Sequence, residues 1–303
     1  MEKIKKKSKG DIGELIFYIS IIALPLLQVL IFYFVVNFNS ILMAFQKYKV
    51  TRGFYFDLSD LGVNFVKIWA DVKSGLLLVA LKNSLVVWFF VSIVGTFLSI
   101  LFSYYIFKKW FLAKTFKFIL FLPAVLPSVM LVLVYKIFVN QGIPYYLEQQ
   151  GKIITPFLLD KNLIMPTVIF FNVWTCFGAQ LLIYTGAMGQ ISPDILEAGQ
   201  VDGVTNTREF FSIVIPIILP TVATFMIANV ATIFTNQANL YAFYSSSLDN
   251  QYMTLGYYLY HLVADFPEKS MYNYASALGI VCTFIAFPLT LIAKKILNRG
   301  GEL

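Results

Sequence analysis

Six polar side chains fall within or at the end of long apolar runs: Asn172, Asn229, Thr232, Thr235, Asn236 and Gln237. In hydrocarbon an amide or hydroxyl must find a partner or face water, because an unsatisfied polar group there costs several kcal/mol. No carboxylate or lysine accompanies them, so the set suits a neutral polyhydroxyl ligand held by hydrogen bonds. Trp174, Phe177 and Tyr241 are available to stack on pyranose faces. The competing role is structural, since such amides also tie neighbouring helices together at about 0.6–2 kcal/mol per contact. Trp88, Phe89 and Phe90 read as lipid or packing contacts.

Other chemistries find no residues. A proton-coupled carrier needs buried Asp, Glu or His relays, and these runs contain none. His261, the only histidine, falls in the segment Tyr252–Pro267, which reads as an exposed amphipathic piece without a catalytic role. Paired carboxylates and a Ser/His arrangement are both missing, so no catalytic residue is assigned and a polytopic membrane enzyme is disfavoured. Cys176 and Cys282 lie singly in apolar stretches, with neither a disulfide framework nor metal-ligand spacing, and read as packing residues.

A second group of polar residues has the spacing of a built element. The stretch 191–203 reads Ile-Ser-Pro-Asp-Ile-Leu-Glu-Ala-Gly-Gln-Val-Asp-Gly. Ser192 is an N-cap, Pro193 suits the first helical position, and Asp194 complements the positive end of the helix dipole. Gly203 offers a left-handed residue to stop the helix, and Thr205 or Thr207 caps another that leads through Arg208, Glu209 and Phe210 into an apolar run. The hairpin presents Ile195, Leu196, Ala198 and Val201 as a small apolar face that needs a partner.

The elements carrying these residues are membrane spans. The 303 residues are 59% hydrophobic and 13% charged, against roughly 45–50% and 25% for a soluble domain. Six runs reach the length of about 20 residues that a bilayer requires: Leu15–Phe38, Ser84–Phe107, Phe118–Val139, Leu163–Met188, Ile215 to about Asn236, and Tyr274–Ile292. Lys136 is the exception among their side chains and sits near a span end, where its stem can snorkel to the surface. The lysines of 1–10, then Lys108, Lys109, Lys114 and Lys117, then Lys294, Lys295 and Arg299 flank the runs on one side, which the positive-inside rule places in the cytoplasm. The formal charge of +7 therefore reflects topology and not a nucleic-acid surface. The expected architecture is an all-α membrane protein of six transmembrane helices with both termini cytoplasmic. A basic tail (1–14) precedes one transmembrane domain (15–296) with its polar loop (189–216), and a short tail (297–303) follows. The connections at about 39–83, 140–162 and 240–273 face outward.

Glu197-Ala198-Gly199, three residues, Gly203, nine residues, then Ile213-Val214-Ile215-Pro216 resemble the EAA loop of type I ABC-importer permeases. The pattern of that family is Glu-Ala-Ala, three residues, Gly, nine residues, Ile, any residue, Leu and Pro. This chain departs from it by Gly199 and Ile215. The resemblance implies the type I importer permease fold and makes the loop a coupling helix that docks on a cytoplasmic ATPase, with Glu197, Ala198, Gly199, Asp202, Gly203 and Pro216 as coupling residues. The one Gly-Lys pair, Gly151-Lys152, lacks the Gly of a P-loop at Tyr146 and the following Ser or Thr. ATP and Mg²⁺ are thus expected on separate ATPase subunits, with no cofactor in this chain.

Across the whole chain the sugar branch, maltose-type and glycerol-phosphate-type, is the nearest likeness, through 122–128, Asn172-Val-Trp174 and Tyr274-Ala-Ser-Ala277. By that likeness Ser128, Asn172, Asn229 and Asn236 match sugar-binding positions. Trp174 and Thr232 join them from the polar and aromatic set. Ala124 and Ala179 replace tyrosines, and Asn229 replaces a serine. The expected protein is a multi-pass permease of the bacterial cytoplasmic membrane that catalyses no reaction itself. Its expected partners are a second homologous permease, two P-loop ATPase subunits, an extracytoplasmic solute-binding protein, a sugar substrate and the lipid bilayer, with no nucleic acid. The alternatives are an importer of a glycerol-phosphate-like or other polyol solute, and a secondary carrier or channel.

Overall fold

The computed structural model describes residues 9–265 and 268–299. The tail calls on 1–8 and 300–303 and the segment end at 266–267 lie outside them. Among the described residues six helices are long and apolar enough to cross a membrane: Ile16–Met43, Leu76–Phe107, Ser128–Glu148, Ile164–Met188, Asn206–Ala231 and Ser270–Leu297, hereafter spans one to six. Five of the six extend past the predicted hydrophobic runs at one or both ends. Helix geometry continues through polar flanks wherever backbone partners remain available.

The third prediction needs correction. The expected single run Phe118–Val139 is two helices, α2 (Ala113–Val125) and span three, which begins at Ser128. Pro127 lacks an amide hydrogen and pushes the residue before it out of the helical region; Leu126 is accordingly extended, at φ −87° and ψ 144°. The fifth prediction also shortens. Span five stops at Ala231, where the Thr232 hydroxyl bonds back to the carbonyls of Ala228 and Asn229 at 3.4 and 3.2 Å. Such back-bonding competes with the helical ladder. Thr232, Thr235, Asn236 and Gln237 therefore sit in an irregular turn, not in a helix.

The chain divides into two compact units. The first, 1–68 with 268–280, holds span one, the start of span six, and a β-hairpin that the sequence reading did not anticipate. Strands β1 (Gln46–Lys49) and β2 (Gly53–Phe56) pair antiparallel, Gln46 opposite Phe56 and Lys49 opposite Gly53. Lys47 closes the hairpin on Asp57 at 3.0 Å and Asp60 at 2.7 Å. Hydrogen bonds from Ser59 first, and from Lys47 second, hold the Asp57 carboxyl down at about 2. Asn64, at the start of α1 (Val63–Lys73), donates to the carbonyls of Ala44 and Gln46. Asn273 of span six donates to the Met43 carbonyl at the end of span one.

The second unit, 69–267 with 281–303, contains the remaining elements. These include α3 (Pro193–Val201), α4 (Leu240–Tyr244) and α5 (Leu255–Ala264). Span two packs along span four. Ser92, Thr96, Ser99 and Ser103 of span two are all buried, and small side chains at this spacing let helix backbones approach closely. α2 also packs on span four, so closely that a Cβ on Gly178 would lie 2.3 Å from that of Ala124. Two apolar clusters cap the ends of span four. One gathers Val168 and Phe171 with Leu240, Phe243 and Tyr257, and the other gathers Tyr184 and Met188 with Ile100, Tyr104, Phe210 and Val214.

Candidate functional site

The loop between spans four and five folds as its capping residues require. Ser192 accepts from the Asp194 amide at 3.3 Å, Pro193 opens α3, and Gly203 ends it at φ +70°. That backbone state costs an L-residue roughly 1–2 kcal/mol, which is why glycine stands there. Of the two threonines offered as the next cap, Thr205 serves, accepting from the Arg208 amide at 3.4 Å. Gly199 is buried, and a Cβ there would come within 3.1 Å of Ile213 Cδ1. Its departure from alanine thus accompanies close packing of α3 onto the start of span five.

Glu197, Ala198 and Asp202 are exposed, as are Ile195 and Val201, the latter by 88%. Leu196 corrects the expected face: it turns inward and packs on the cluster around Tyr104 and Phe210. Pro216 occupies the first turn of the regular helix that follows a π-helical turn at Phe210–Val214. The loop helix is therefore stapled to spans two, four and five on one side and presents Ile195, Ala198 and Val201, flanked by two carboxylates, on the other.

In the sequence Glu209 has no role beyond a place in the helix that leads into the fifth run. It is 3% exposed, and its carboxylate accepts from Lys108 Nζ at 3.0 and 3.1 Å. The Tyr104 hydroxyl lies 3.1 Å from Glu209 Oε1 and 3.0 Å from the Asn206 carbonyl and shares its hydrogen between them. Lys108 carried a topological meaning in the sequence, and Glu209 fell in the polar loop ahead of the fifth run beside Asp194, Glu197 and Asp202, so nothing in the sequence paired the two.

The polar set divides. Asn172 is buried and its amide is consumed, donating to Val168 O at 2.8 Å and Ala238 O at 2.9 Å and accepting from Asn239 at 2.9 Å. It braces span four against the turn that precedes α4. Phe177 is buried against Phe102 and cannot stack on a ligand, while Trp174 is half-buried beside Tyr135 and Phe171. Tyr241 gives its hydroxyl to Asp265 at 2.8 Å, which raises its pKa. Asp265 also lies 2.7 Å from His261 Nδ1 and is held low chiefly by that contact. α5 is not the exposed piece expected, because Leu255, Gly256, Tyr257 and Leu262 are buried. Lys136 is half-buried and donates to the Phe243 carbonyl at 2.8 Å, at the end of α4.

Ser128, Thr232, Thr235 and Asn236 are exposed, and Asn229 and Gln237 are half-buried. Asn236 uses its carbonyl oxygen on the Ala238 amide at 2.8 Å, and the Asn229 backbone carbonyl accepts from Trp88 Nε1 at 3.0 Å. Thr235 opens onto a cleft of about 230 Å³ walled by Phe234 from one side and by Cys282, Thr283, Phe287 and Thr290 of span six from the other. No side-chain hydrogen bond joins Ser128 to the rest of this set among the described residues. Asn172 and Asn236 meet the same residue, Ala238, one through its carbonyl and the other through its amide, but Asn172 is buried there and Asn236 is exposed. No group of three or more His, Cys, Asp or Glu that could hold a metal occurs among the described residues.

Comparison with known proteins gives these features a context. The family described as "Binding-protein-dependent transport system inner membrane component" matches residues 95–299. The multiple sugar-binding transport system permease protein MsmF of Streptococcus mutans is 23% identical over 195 residues, which cover 64% of this chain and 63% of that protein. The diacetylchitobiose uptake system permease protein NgcF of Streptomyces coelicolor is 28% identical over 153 residues, 47% of this chain and 40% of that protein. Among solved structures, a chain of a bacterial ABC transporter involved in the import of the acidic polysaccharide alginate superposes with a TM-score of 0.77. The match is 21% identical and covers 93% of this chain and 96% of that one.

Proposed function

We propose, from the premise that this chain belongs to the binding-protein-dependent transport system inner membrane component family, that it forms the translocation path for a neutral sugar or oligosaccharide and couples that path to separate ATPase subunits. It is a multi-pass inner-membrane permease with no catalytic role of its own. The observation that carries the coupling role is α3: a capped helix fixed to spans two, four and five, with Ile195, Glu197, Ala198, Val201 and Asp202 turned outward. A rigid helix transmits the closing of a partner better than a flexible linker does. The positive-inside reading puts this loop in the cytoplasm, where two P-loop subunits would bind ATP and Mg²⁺ and where α3 would dock in a groove of one of them.

The substrate class follows from what the exposed polar residues are. Asn229, Thr232, Thr235 and Asn236 are uncharged, and Lys136, the one cation within spans three and four among the described residues, is already spent on a carbonyl. A uronate or phosphate ester would need free cations to replace its hydration, so a neutral glycan fits better than an acidic one or a glycerol phosphate. Sugar-named relatives support the same class. A second, homologous permease and a solute-binding protein complete the proposed assembly. The test is uptake by cells or vesicles with a panel of labelled neutral mono- and oligosaccharides beside uronate oligosaccharides and glycerol 3-phosphate. Uptake of a neutral sugar that depends on this chain is expected, and dependence confined to the anionic solutes would contradict the proposal.

A further inference from the structure

Among the described residues Glu209 is the one buried carboxylate. Taking a charge out of water is costly, and buried ion pairs are often no more stabilising than well-packed apolar residues of the same volume. The surroundings here already supply apolar packing, with Tyr104 and Phe210 rings 4.9 Å apart and Tyr104 edge-on to Trp110 at 5.8 Å. What the ion pair adds is register. Lys108 and Tyr104 stand one turn apart at the end of span two and converge on Glu209 and on the Asn206 carbonyl, the first turn after the loop helix. Leu196 of α3 packs on the same cluster.

We propose that Lys108 and Glu209, with Tyr104, are positioning residues that lock the end of span two to the loop, so that a displacement of α3 carries spans two, four and five as one body. The inference rests on the coupling role proposed above. Without the lock, spans four and five are attached to the loop by the chain itself, whereas span two keeps apolar packing and two hydrogen bonds to the neighbouring spans, from Ser103 to the Leu181 carbonyl and from Trp88 to the Asn229 carbonyl, neither of which reaches the loop. Apolar surfaces slide past one another by 1–2 Å at modest cost, and a directed ion pair resists that slide.

The test uses the full chain, purified with its partners and placed in lipid nanodiscs. Spin labels go on Leu101→Cys in span two and Gln200→Cys in α3, both exposed sites and the second outside the proposed docking face, in a Cys176→Ala, Cys282→Ala background. Their separation is measured by pulsed electron resonance without nucleotide and with ATP plus vanadate. The expected result is one narrow distribution unchanged by nucleotide. Glu209→Gln is expected to let it shift by about 1–2 Å, the scale of an interhelical slide. The exchange Lys108→Glu with Glu209→Lys is expected to restore it, which a generally weakened fold would not do. Tyr104→Phe, which removes one hydroxyl and keeps the ring, gives a smaller shift in the same direction, and it and the exchange decide the matter if Glu209→Gln does not assemble. An unchanged distribution in the assembled variants overturns the lock, as does a nucleotide-dependent shift in the unsubstituted pair. If no ATPase is retained by the labelled chain, the coupling role itself is overturned and this inference with it.

Discussion

Asn172 and Asn229 are the same residue type in neighbouring spans, yet they differ in what they leave free. The Asn172 amide makes three hydrogen bonds inside the fold, while the Asn229 side-chain amide makes none among the described residues. Truncating a buried donor that leaves its partners unsatisfied costs about 1–3 kcal/mol. Asn172→Ala is therefore expected to lower the thermal unfolding midpoint in detergent. Asn229→Ala should leave that midpoint within about 0.5 kcal/mol of the parent while reducing sugar uptake. Equal losses of stability would remove Asn229 from the candidate path. Lys108→Ala belongs to the same scale: stripping the buried Glu209 of its cation is expected to cost about 3 kcal/mol, read as the same midpoint. The sequence showed that these side chains were polar and lay in membrane runs. It could not show that Asn172 meets Ala238 and Asn239, or that Lys108 meets Glu209, because those partners lie 66 to 101 residues away along the chain.

At the scale of elements, local chemistry decided more. Ser192, Pro193, Gly203 and Thr205 dictate a helix, a left-handed stop and a second helix through contacts within a few residues; the first three were readable in advance, and the fourth as one of two threonines. The break at Leu126–Pro127 has an equally local cause, but the apolar run passes through it unchanged, so hydropathy alone joins α2 to span three. The hairpin of β1 and β2 was missed because its strands are four residues each and one is largely basic. Its closing ion pair makes a pH prediction. The Asp57 carboxyl is held below its unfolded value, so the stabilisation it lends is complete above about pH 4 and disappears as pH falls through about 2. Carboxyl-carbon NMR of ¹³C-aspartate-labelled protein should show this group titrating near 2 and not near 4. The crossing of α2 and span four predicts that even Gly178→Ala destabilises, by about 1–3 kcal/mol, because its methyl would overlap Ala124. An unaltered unfolding midpoint in that variant would mean the two helices are not in close contact.

For the molecule as a whole, composition and the periodic supply of apolar runs sufficed to give six spans, because a bilayer admits few alternatives to the helix. The motif from Glu197 to Pro216 then supplied direction to the account, by marking the loop helix as the place where a partner acts. What it could not supply was the division of the polar set into braces and free groups, which depends on how distant turns close over span four. The neutral character of Asn229, Thr232, Thr235 and Asn236 is read from their residue types, and the proposed assembly depends on the exposed face of α3. The most direct measurement is purification of the tagged chain from its native membrane in mild detergent, with mass spectrometry and ATP-hydrolysis assays on what accompanies it. The account predicts a P-loop ATPase in the complex and hydrolysis in the eluate, both lost on Glu197→Lys without loss of the chain from the membrane. A stable, transport-competent chain without any associated ATPase, or an undiminished complex with Glu197→Lys and Asp202→Lys combined, would contradict it.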